Sequence, residues 1–128
     1  MGRKRFLLIG DNTNSLEVIK EFLKESPVSI AYQNTLSGTE AKGFLNQSRE
    51  KKSFPDIIVI DFNRSEMEGL QFIMDYEQDY FHLYPDTKLF FLTNFPIQSN
   101  TGTGLQLRCV SGFITKPVNR KSALQIVS

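Results

Sequence analysis

The stretch DIIVIDFNRSEMEGL, from Asp56 to Leu70, contains an apolar run that ends at a carboxylate. The run Ile57-Ile58-Val59-Ile60 is continuous rather than alternating, which is typical of a strand buried on both faces of a parallel sheet. Asp61 follows it directly, with Asn63 two residues on and Gly69 eight residues on. A core strand has no structural need for an acid at its end, so Asp61 is a candidate functional residue.

Similar apolar runs along the chain predict further strands. They are Phe6–Ile9, Leu89–Leu92 and the shorter Gly112–Thr115, with a weaker strand of mixed polarity over Val28–Gln33 that suits a sheet edge. Helical patterns separate the runs. Capping-box signatures begin two of them at Asn14 and Ser37, a third ends before Pro85, and a short final helix is predicted over Ser122–Val127.

Strands and helices alternate five times, without a repeat, a low-complexity segment or a linker. This order predicts a single domain over residues 1–128, an α/β fold with a doubly wound, five-stranded parallel sheet and helices on both faces. The crossover Pro96–Arg108 is a poor helix, because Gly102 and Gly104 each cost roughly 1 kcal/mol relative to Ala. We expect that crossover to be the most mobile part of the domain.

Composition and single residues exclude several classes of protein. The 128 residues carry 15 basic and 14 acidic side chains, a balance that gives no nucleic-acid footprint. Phe6–Ile9 is too short for a signal peptide or a membrane span. The lone Cys109 excludes an internal disulfide and is expected to be a buried thiol in a reducing cytoplasm. His82, the only histidine, has no partner for a zinc site and is expected at the surface near a helix end.

Polar residues follow four of the predicted strands: Asp11, Asp61, Thr93 and Lys116. Because the carboxyl ends of the strands form the ligand crevice of such sheets, we expect these residues to converge. Asp11 and Asp61 are oxygen ligands suited to Mg²⁺, and the backbone carbonyl of Asn63 could turn back to the same ion. With the Lys116 ammonium and the Thr93 hydroxyl, the set suits a phosphoryl group attacked by a carboxylate. The alternative is a plain ion pair, in which Lys116 only neutralises the two acids.

The segments LLIGDN, IIVIDFNRSEMEG, FFLTN and GFITKP occur in the order and spacing of the receiver domains of two-component response regulators. SGTEAKGFL also resembles the second helix of that family, and the resemblance covers almost the whole chain. It implies a flavodoxin-like sheet of order 2-1-3-4-5. It also implies roles for five residues: Asp61 as phosphoacceptor, Asp11 and the Asn63 carbonyl as Mg²⁺ ligands, and Thr93 and Lys116 as phosphoryl-binding residues.

The resemblance further implies signalling by phosphorelay. A sensor histidine kinase or a phosphotransfer protein would phosphorylate Asp61, and Thr93 and Phe113 would form a switch read by a downstream protein target. A second copy, in a phosphorylation-linked dimer, is a further partner that the family suggests. Phosphorylation and dephosphorylation of its own carboxylate would be its only chemistry, so we do not expect an enzyme. We expect a cytoplasmic protein without nucleic-acid or membrane partners, and a cis peptide at Lys116-Pro117.

Several positions depart from the family pattern. Gly10 replaces the first of two adjacent acids, which predicts weak Mg²⁺ binding that Gly10→Asp should tighten. Ser65 stands where proline is common, and Asn94 and Phe95 could crowd the phosphoryl pocket. Gly69 is expected to take a positive φ in a tight turn before the third helix.

Other functions remain open from the residues alone. A pseudo-receiver that binds partners without phosphorylation is the main alternative, and Gly10 favours it. Asp61-Phe62-Asn63 loosely resembles the D-x-D motif of haloacid-dehalogenase-like phosphatases, but Asn63 lacks the second carboxylate needed as general acid and base. A flavodoxin would need a phosphate loop rich in Ser, Thr and Gly, for which the segment Gly10 to Ser15 is a poor match.

Overall fold

The computed structural model describes residues 4–10, 14–26, 30–61, 66–93 and 108–127. In this part of the chain the strands are β1 (Lys4–Ile9), β2 (Ile30–Thr35), β3 (Ile57–Ile60), β4 (Lys88–Thr93) and β5 (Gly112–Thr115). The helices are α1 (Asn14–Lys24), α2 (Gly38–Glu50), α3 (Glu66–Tyr76) and α4 (Arg120–Val127), and a π-helical turn, Glu77–Phe81, extends α3. All strand pairs are parallel, in the order β2-β1-β3-β4-β5, which confirms the predicted fold class and strand order.

Both faces of the sheet are covered. Ile58 and Ile60 point to a core that includes residues of α2 and α3. Ile57 and Val59 point to a second core that includes residues of α1 and α4. All four side chains are at most 1% exposed. The continuous apolar run of β3 therefore has a simple cause: successive side chains of a strand alternate between faces, and each face here has a helix layer over it.

Helix starts follow the capping chemistry of the sequence in two places. Ser37 caps α2, since its side chain accepts a hydrogen bond from the Glu40 N–H at 3.1 Å. The final helix begins at Arg120, two residues earlier than predicted, because Asn119 Oδ1 accepts from the Ser122 N–H at 3.0 Å. Helix α1 begins at Asn14 itself, so its capping position falls outside the described residues.

Two expectations about local structure are wrong. Gly69 lies inside α3 with helical conformation, because that helix begins at Glu66 rather than after the glycine. Of the described glycines, the one with positive φ is Gly10, at 156°. Strand β2 ends at Thr35 rather than Gln33, since it stays paired with β1 as far as Ile9.

Other expectations hold, and some are not covered. The Lys116-Pro117 peptide is cis, and His82 is exposed just after the π-helical turn. Cys109 is buried, with its Sγ 3.7 Å from the Ile73 carbonyl oxygen. Burial raises the pKa of this thiol to about 12. The predictions for the crossover Pro96–Arg108, for Ser65, and for Asn94 and Phe95 fall wholly or largely on residues 62–65 and 94–107, outside the described residues. Within the described ranges, no helix is long and apolar enough to cross a membrane.

Candidate functional site

The centre of the candidate site is Asp61, the residue after β3. Its side chain is 0% exposed, and its backbone N–H donates a hydrogen bond to the Ile9 carbonyl at 2.8 Å. The Lys116 ammonium contacts Asp61 Oδ1, and that lysine side chain is only 12% exposed. The carboxylate of Asp61, after the central strand β3, is therefore paired with the ammonium of Lys116, which follows β5.

Backbone pairing beyond β4 and β5 brings the lysine to this edge. The Lys116 N–H donates to the Thr93 carbonyl at 2.7 Å, and Thr93 itself is buried at the end of β4. Because β4 lies between β3 and β5, Asp61, Thr93 and Lys116 occupy neighbouring strand ends at one edge of the sheet. The structure thus brings three of the sequence-predicted site residues to one place.

The carboxylate of Asp61 is incompletely compensated. Neither of its oxygens accepts a hydrogen bond from the described residues, and Lys116 contacts the carboxylate at Oδ1. A buried carboxylate is costly unless it is paired and hydrogen-bonded. Among the described residues its Oδ2 therefore has no hydrogen-bond donor, and such an anionic oxygen is the kind of ligand that a hard cation such as Mg²⁺ takes.

The rest of the implied metal site falls outside the described part of the chain. Asp11 and the carbonyl of Asn63 lie there, so of the expected ligands the structure places Asp61. The described residues contain no group of three or more His, Cys, Asp or Glu side chains that could hold a metal ion. Asp61 fits a cation site by its Oδ2, and its partners in that site stay predictions.

Gly10 sits where the sequence lacks an acid, directly after β1. A Cβ added to it would lie 2.3 Å from the backbone oxygen of Asp61 and 2.9 Å from Leu16 Cδ1. Its φ of 156° is also one that residues with side chains rarely adopt. Any side chain at position 10 would therefore strike the main chain of Asp61 in this backbone conformation, and the effect of Gly10→Asp on Mg²⁺ binding stays a prediction.

Phe113, the expected switch residue, lies on β5 and is half-buried. Its ring is tilted by 50° against that of Phe91, with 6.0 Å between the ring centroids. Phe91 belongs to the core under α2 and α3, and Phe113 packs at the margin of that core. The aromatic side chain is thus placed between the interior and the surface, two residues before Thr115 and three before Lys116.

Asn34 is a residue that the sequence reasoning missed. Its side-chain amide lies within hydrogen-bonding distance of the carbonyl oxygens of Leu8 (3.2 Å), Gly10 (3.2 Å) and Thr35 (3.0 Å). An asparagine within a strand of mixed polarity carries little information by itself. The signal that could have pointed to Asn34 was its position near the end of the edge strand β2, which pairs with β1, the strand before Gly10.

The fold is therefore a doubly wound parallel sheet of order β2-β1-β3-β4-β5 with a buried carboxylate, Asp61, directly after its central strand. The chain belongs to the response regulator receiver domain family, which matches residues 6–128. No curated protein matches the chain significantly.

Solved structures agree with that assignment. The phosphorylated cyanobacterial phytochrome response regulator RcpA is 25% identical, with a TM-score of 0.74 over 98% of this chain and 89% of that one. A two-component response regulator from Cytophaga hutchinsonii is 17% identical, with a TM-score of 0.79 over 99% and 96% of the two chains. The Mn²⁺-bound form of response regulator Rcp1 is 23% identical, with a TM-score of 0.71 over 97% and 88%. The two less similar structures support the fold alone.

Proposed function

We propose that this chain is a phosphorylatable receiver that accepts a phosphoryl group on Asp61 and changes conformation for a downstream protein. One observation carries the proposal. Asp61 is wholly buried, is paired with Lys116 through one oxygen, and has no aligned hydrogen bond from the described residues on the other. A purely structural carboxylate would be expected to have both oxygens satisfied, because an unmet buried charge destabilises the fold.

The residues present suit the transfer. A carboxylate oxygen of Asp61 attacks phosphorus, and the bond from phosphorus to the donor, a histidine nitrogen or the oxygen of acetyl phosphate, breaks with its electron pair on the leaving group. The Lys116 ammonium offsets negative charge on the phosphoryl oxygens, and the Thr93 hydroxyl can donate a hydrogen bond to one of them. The product is an acyl phosphate on the chain's own side chain, so we propose a receiver rather than an enzyme with an external substrate.

Mg²⁺ is the proposed cofactor, because receiver domains generally bind it and the buried Asp61 offers a carboxylate oxygen of the kind that a hard cation takes. Asp61, Asp11 and the Asn63 carbonyl would hold the ion, which supplies positive charge to the phosphoryl oxygens when bound. With Gly10 in place of an acid, the ligand set carries fewer negative charges, and we propose weak binding.

Receiver domains of two-component systems interact with histidine kinases and with downstream targets. For this chain we propose a sensor kinase or phosphotransfer protein as donor, in the cytoplasm, and a protein target that reads the positions of Thr93 and Phe113. A phosphorylation-linked dimer belongs to the same proposal. Two-state switching of this kind needs a contact made in one state only, which the pairing of Lys116 with an arriving phosphoryl group would supply.

The test is incubation with acetyl phosphate and Mg²⁺, followed by intact-mass measurement and by borohydride reduction to locate the acyl phosphate. We expect one phosphoryl group, on Asp61, and none in the isosteric Asp61→Asn. The control is Asp56→Asn, because Asp56 lies at the opposite end of the same strand and binds the Arg5 N–H at 2.8 Å. Asp56→Asn should label like the unmodified chain.

The pseudo-receiver is the second candidate, and Gly10 is the feature that favours it. Labelling of folded Asp61→Asn at another carboxylate would refute Asp61 as the acceptor. A folded, unmodified chain that takes up no phosphoryl group from acetyl phosphate or from a phosphorylated phosphotransfer protein would establish the pseudo-receiver instead.

A further inference from the structure

Both backbone polar groups of Gly10 are held by strand β2. The Gly10 N–H donates to the Thr35 carbonyl at 2.9 Å, and the Gly10 carbonyl lies 3.2 Å from the side-chain nitrogen of Asn34. The edge strand therefore sets the position of the first residue after β1.

The amide of Asn34 has a defined orientation. The three groups near its nitrogen are carbonyl oxygens, those of Leu8, Gly10 and Thr35, and carbonyl oxygens only accept. The side chain therefore presents its NH₂ to the end of β1 and to its own strand. It joins the two strand ends at the point where the chain leaves β1.

On its other side, Gly10 lies against the phosphoacceptor. The position of its missing Cβ is 2.3 Å from Asp61 O and 3.3 Å from Asp61 C, and both are backbone atoms that cannot rotate out of the way. The Asp61 N–H donates a hydrogen bond to the carbonyl of Ile9, the residue before Gly10, at 2.8 Å. The main chain of Asp61 is thus hydrogen-bonded to Ile9 and packed against Gly10.

We propose that Gly10 and Asn34 form a positioning pair for Asp61. Asn34 holds the Gly10 backbone, and Gly10, through its lack of a Cβ, can lie against the Asp61 main chain. The inference rests on the proposed function of Asp61 as phosphoacceptor. It means that position 10 is closely packed against Asp61 rather than a vacant acid position, so that adding the acid harms the site.

The physical reason is the sensitivity of a nucleophile to placement. The Asp61 side chain is wholly buried, so a shift of its main chain moves the carboxylate relative to Lys116 and to the attacked phosphorus. Misplacement of a reacting group by about 1 Å can lower a rate on the order of 100-fold. Positions 10 and 34 can therefore affect phosphorylation without touching the phosphoryl group.

The first arm of the test compares Gly10→Ala and Gly10→Asp with Gly43→Ala. Gly43 lies in α2, and a Cβ there meets no described atom within 4 Å. We expect both Gly10 variants to lower the maximal labelling rate at saturating acetyl phosphate by roughly 10- to 100-fold, and to shift the Asp61 amide resonance. Gly43→Ala should change neither. Faster labelling and tighter Mg²⁺ binding by Gly10→Asp would overturn the proposal.

The second arm removes the Asn34 contacts without adding bulk at position 10. Asn34→Ala should shift the amide resonances of Gly10 and Asp61 and slow labelling by about tenfold, the equivalent of 1.4 kcal/mol or roughly one hydrogen bond. Asn34→Asp should be worse, because it faces three carbonyl oxygens with a carboxylate. Unchanged Asp61 shifts and rates in both would overturn the proposal.

The two arms also separate the possible failures. If the Gly10 variants do not fold, the Asn34 pair decides the question. If the unmodified chain is never labelled, the proposed function fails, and the Asp61 amide shifts of folded Asn34 variants still test the positioning.

Discussion

The strands of the sheet begin at one edge, the amino edge, and end at the opposite one, the carboxyl edge. These two edges differ in chemistry. At the amino edge, Phe54 stacks on Tyr84 with 3.7 Å between ring centroids. The Thr87 hydroxyl there donates to the Pro55 carbonyl at 2.8 Å. At the carboxyl edge, the buried carboxylate of Asp61 accepts no hydrogen bond from the part of the chain that the structure describes. One edge is held by packed aromatic rings, and the other holds a buried carboxylate paired with Lys116.

The aromatic cluster of the amino edge follows from the course of the chain. Phe54 precedes β3, Tyr84 precedes β4, and Tyr76 and Tyr80 come from the end of α3 and its π-helical turn. Phe54 lies 5.8 Å from Tyr80 and 6.5 Å from Tyr76, measured between ring centroids. The helix after β3 returns to this edge, so its last residues pack where two strands begin.

The largest expected effect is at the amino edge. Phe54→Ala should lower the free energy of unfolding by roughly 3–5 kcal/mol, because it leaves a cavity among three tyrosine rings. The labelling rate of folded molecules should not change. Urea unfolding and acetyl phosphate labelling measure the two quantities. The control is Tyr32→Ala, at an aromatic side chain that is 39% exposed, with an expected loss below about 1 kcal/mol. Equal losses in the two variants would remove the distinction between the edges.

A smaller loss is expected from Lys116→Met, which keeps an apolar stem and removes the ammonium. It leaves the buried Asp61 carboxylate without its cation, at a cost of roughly 3 kcal/mol. The double variant Lys116→Met with Asp61→Asn should recover most of that stability, since it removes the unpaired charge as well. Thermal and urea unfolding of the set measure the coupling between the two residues.

Lys42→Met is the matched control for that cycle. Lys42 pairs with Asp75, but both side chains are partly exposed to solvent, at 39% and 27%, so the expected loss is below about 1 kcal/mol. If Lys116→Met costs no more than Lys42→Met, the buried carboxylate of Asp61 does not depend on Lys116 for its stability, contrary to what their ion pair indicates.

The smallest effect concerns ionisation inside the core. Burial raises the pKa of Cys109 from near 9 to about 12, so the folded state holds this proton more tightly than the unfolded chain. The stabilisation is complete below pH 9 and is lost as pH rises toward 12. Between pH 8 and pH 10 this thiol should remove about 1.4 kcal/mol of stability.

Comparison with Cys109→Ala tests the contribution of this thiol to the pH dependence of stability. The cavity left by Cys109→Ala lowers the free energy of unfolding by an amount that does not change with pH. Because the variant lacks the thiol, its free energy of unfolding should fall less steeply between pH 8 and pH 10. Burial also raises the pKa of Tyr76, and some slope should therefore remain in both proteins. Identical slopes would mean that the folded thiol ionises as easily as the unfolded one.

Much of the fold was predictable from local pattern. Continuous apolar runs such as Ile57 to Ile60 indicated strands covered on both faces, and Ser37 with Glu40 indicated the start of α2. Errors arose where a residue type is ambiguous. Gly69 suggested a turn, but a glycine is also tolerated in a helix at a cost of about 1 kcal/mol, and α3 begins at Glu66, three residues before it.

The sequence by itself determined the chemistry available at the site: a carboxylate after β3, a threonine after the core of β4 and a lysine after β5. Those positions follow from the rule that parallel strands end at a common edge. Only the tertiary structure decided the role of Gly10 and Asn34. Their relation depends on the pairing of β2 with β1 and of β1 with β3, a contact between residues distant in the chain. No local pattern shows that a Cβ on Gly10, after β1, would overlap the backbone of Asp61, after the neighbouring strand β3.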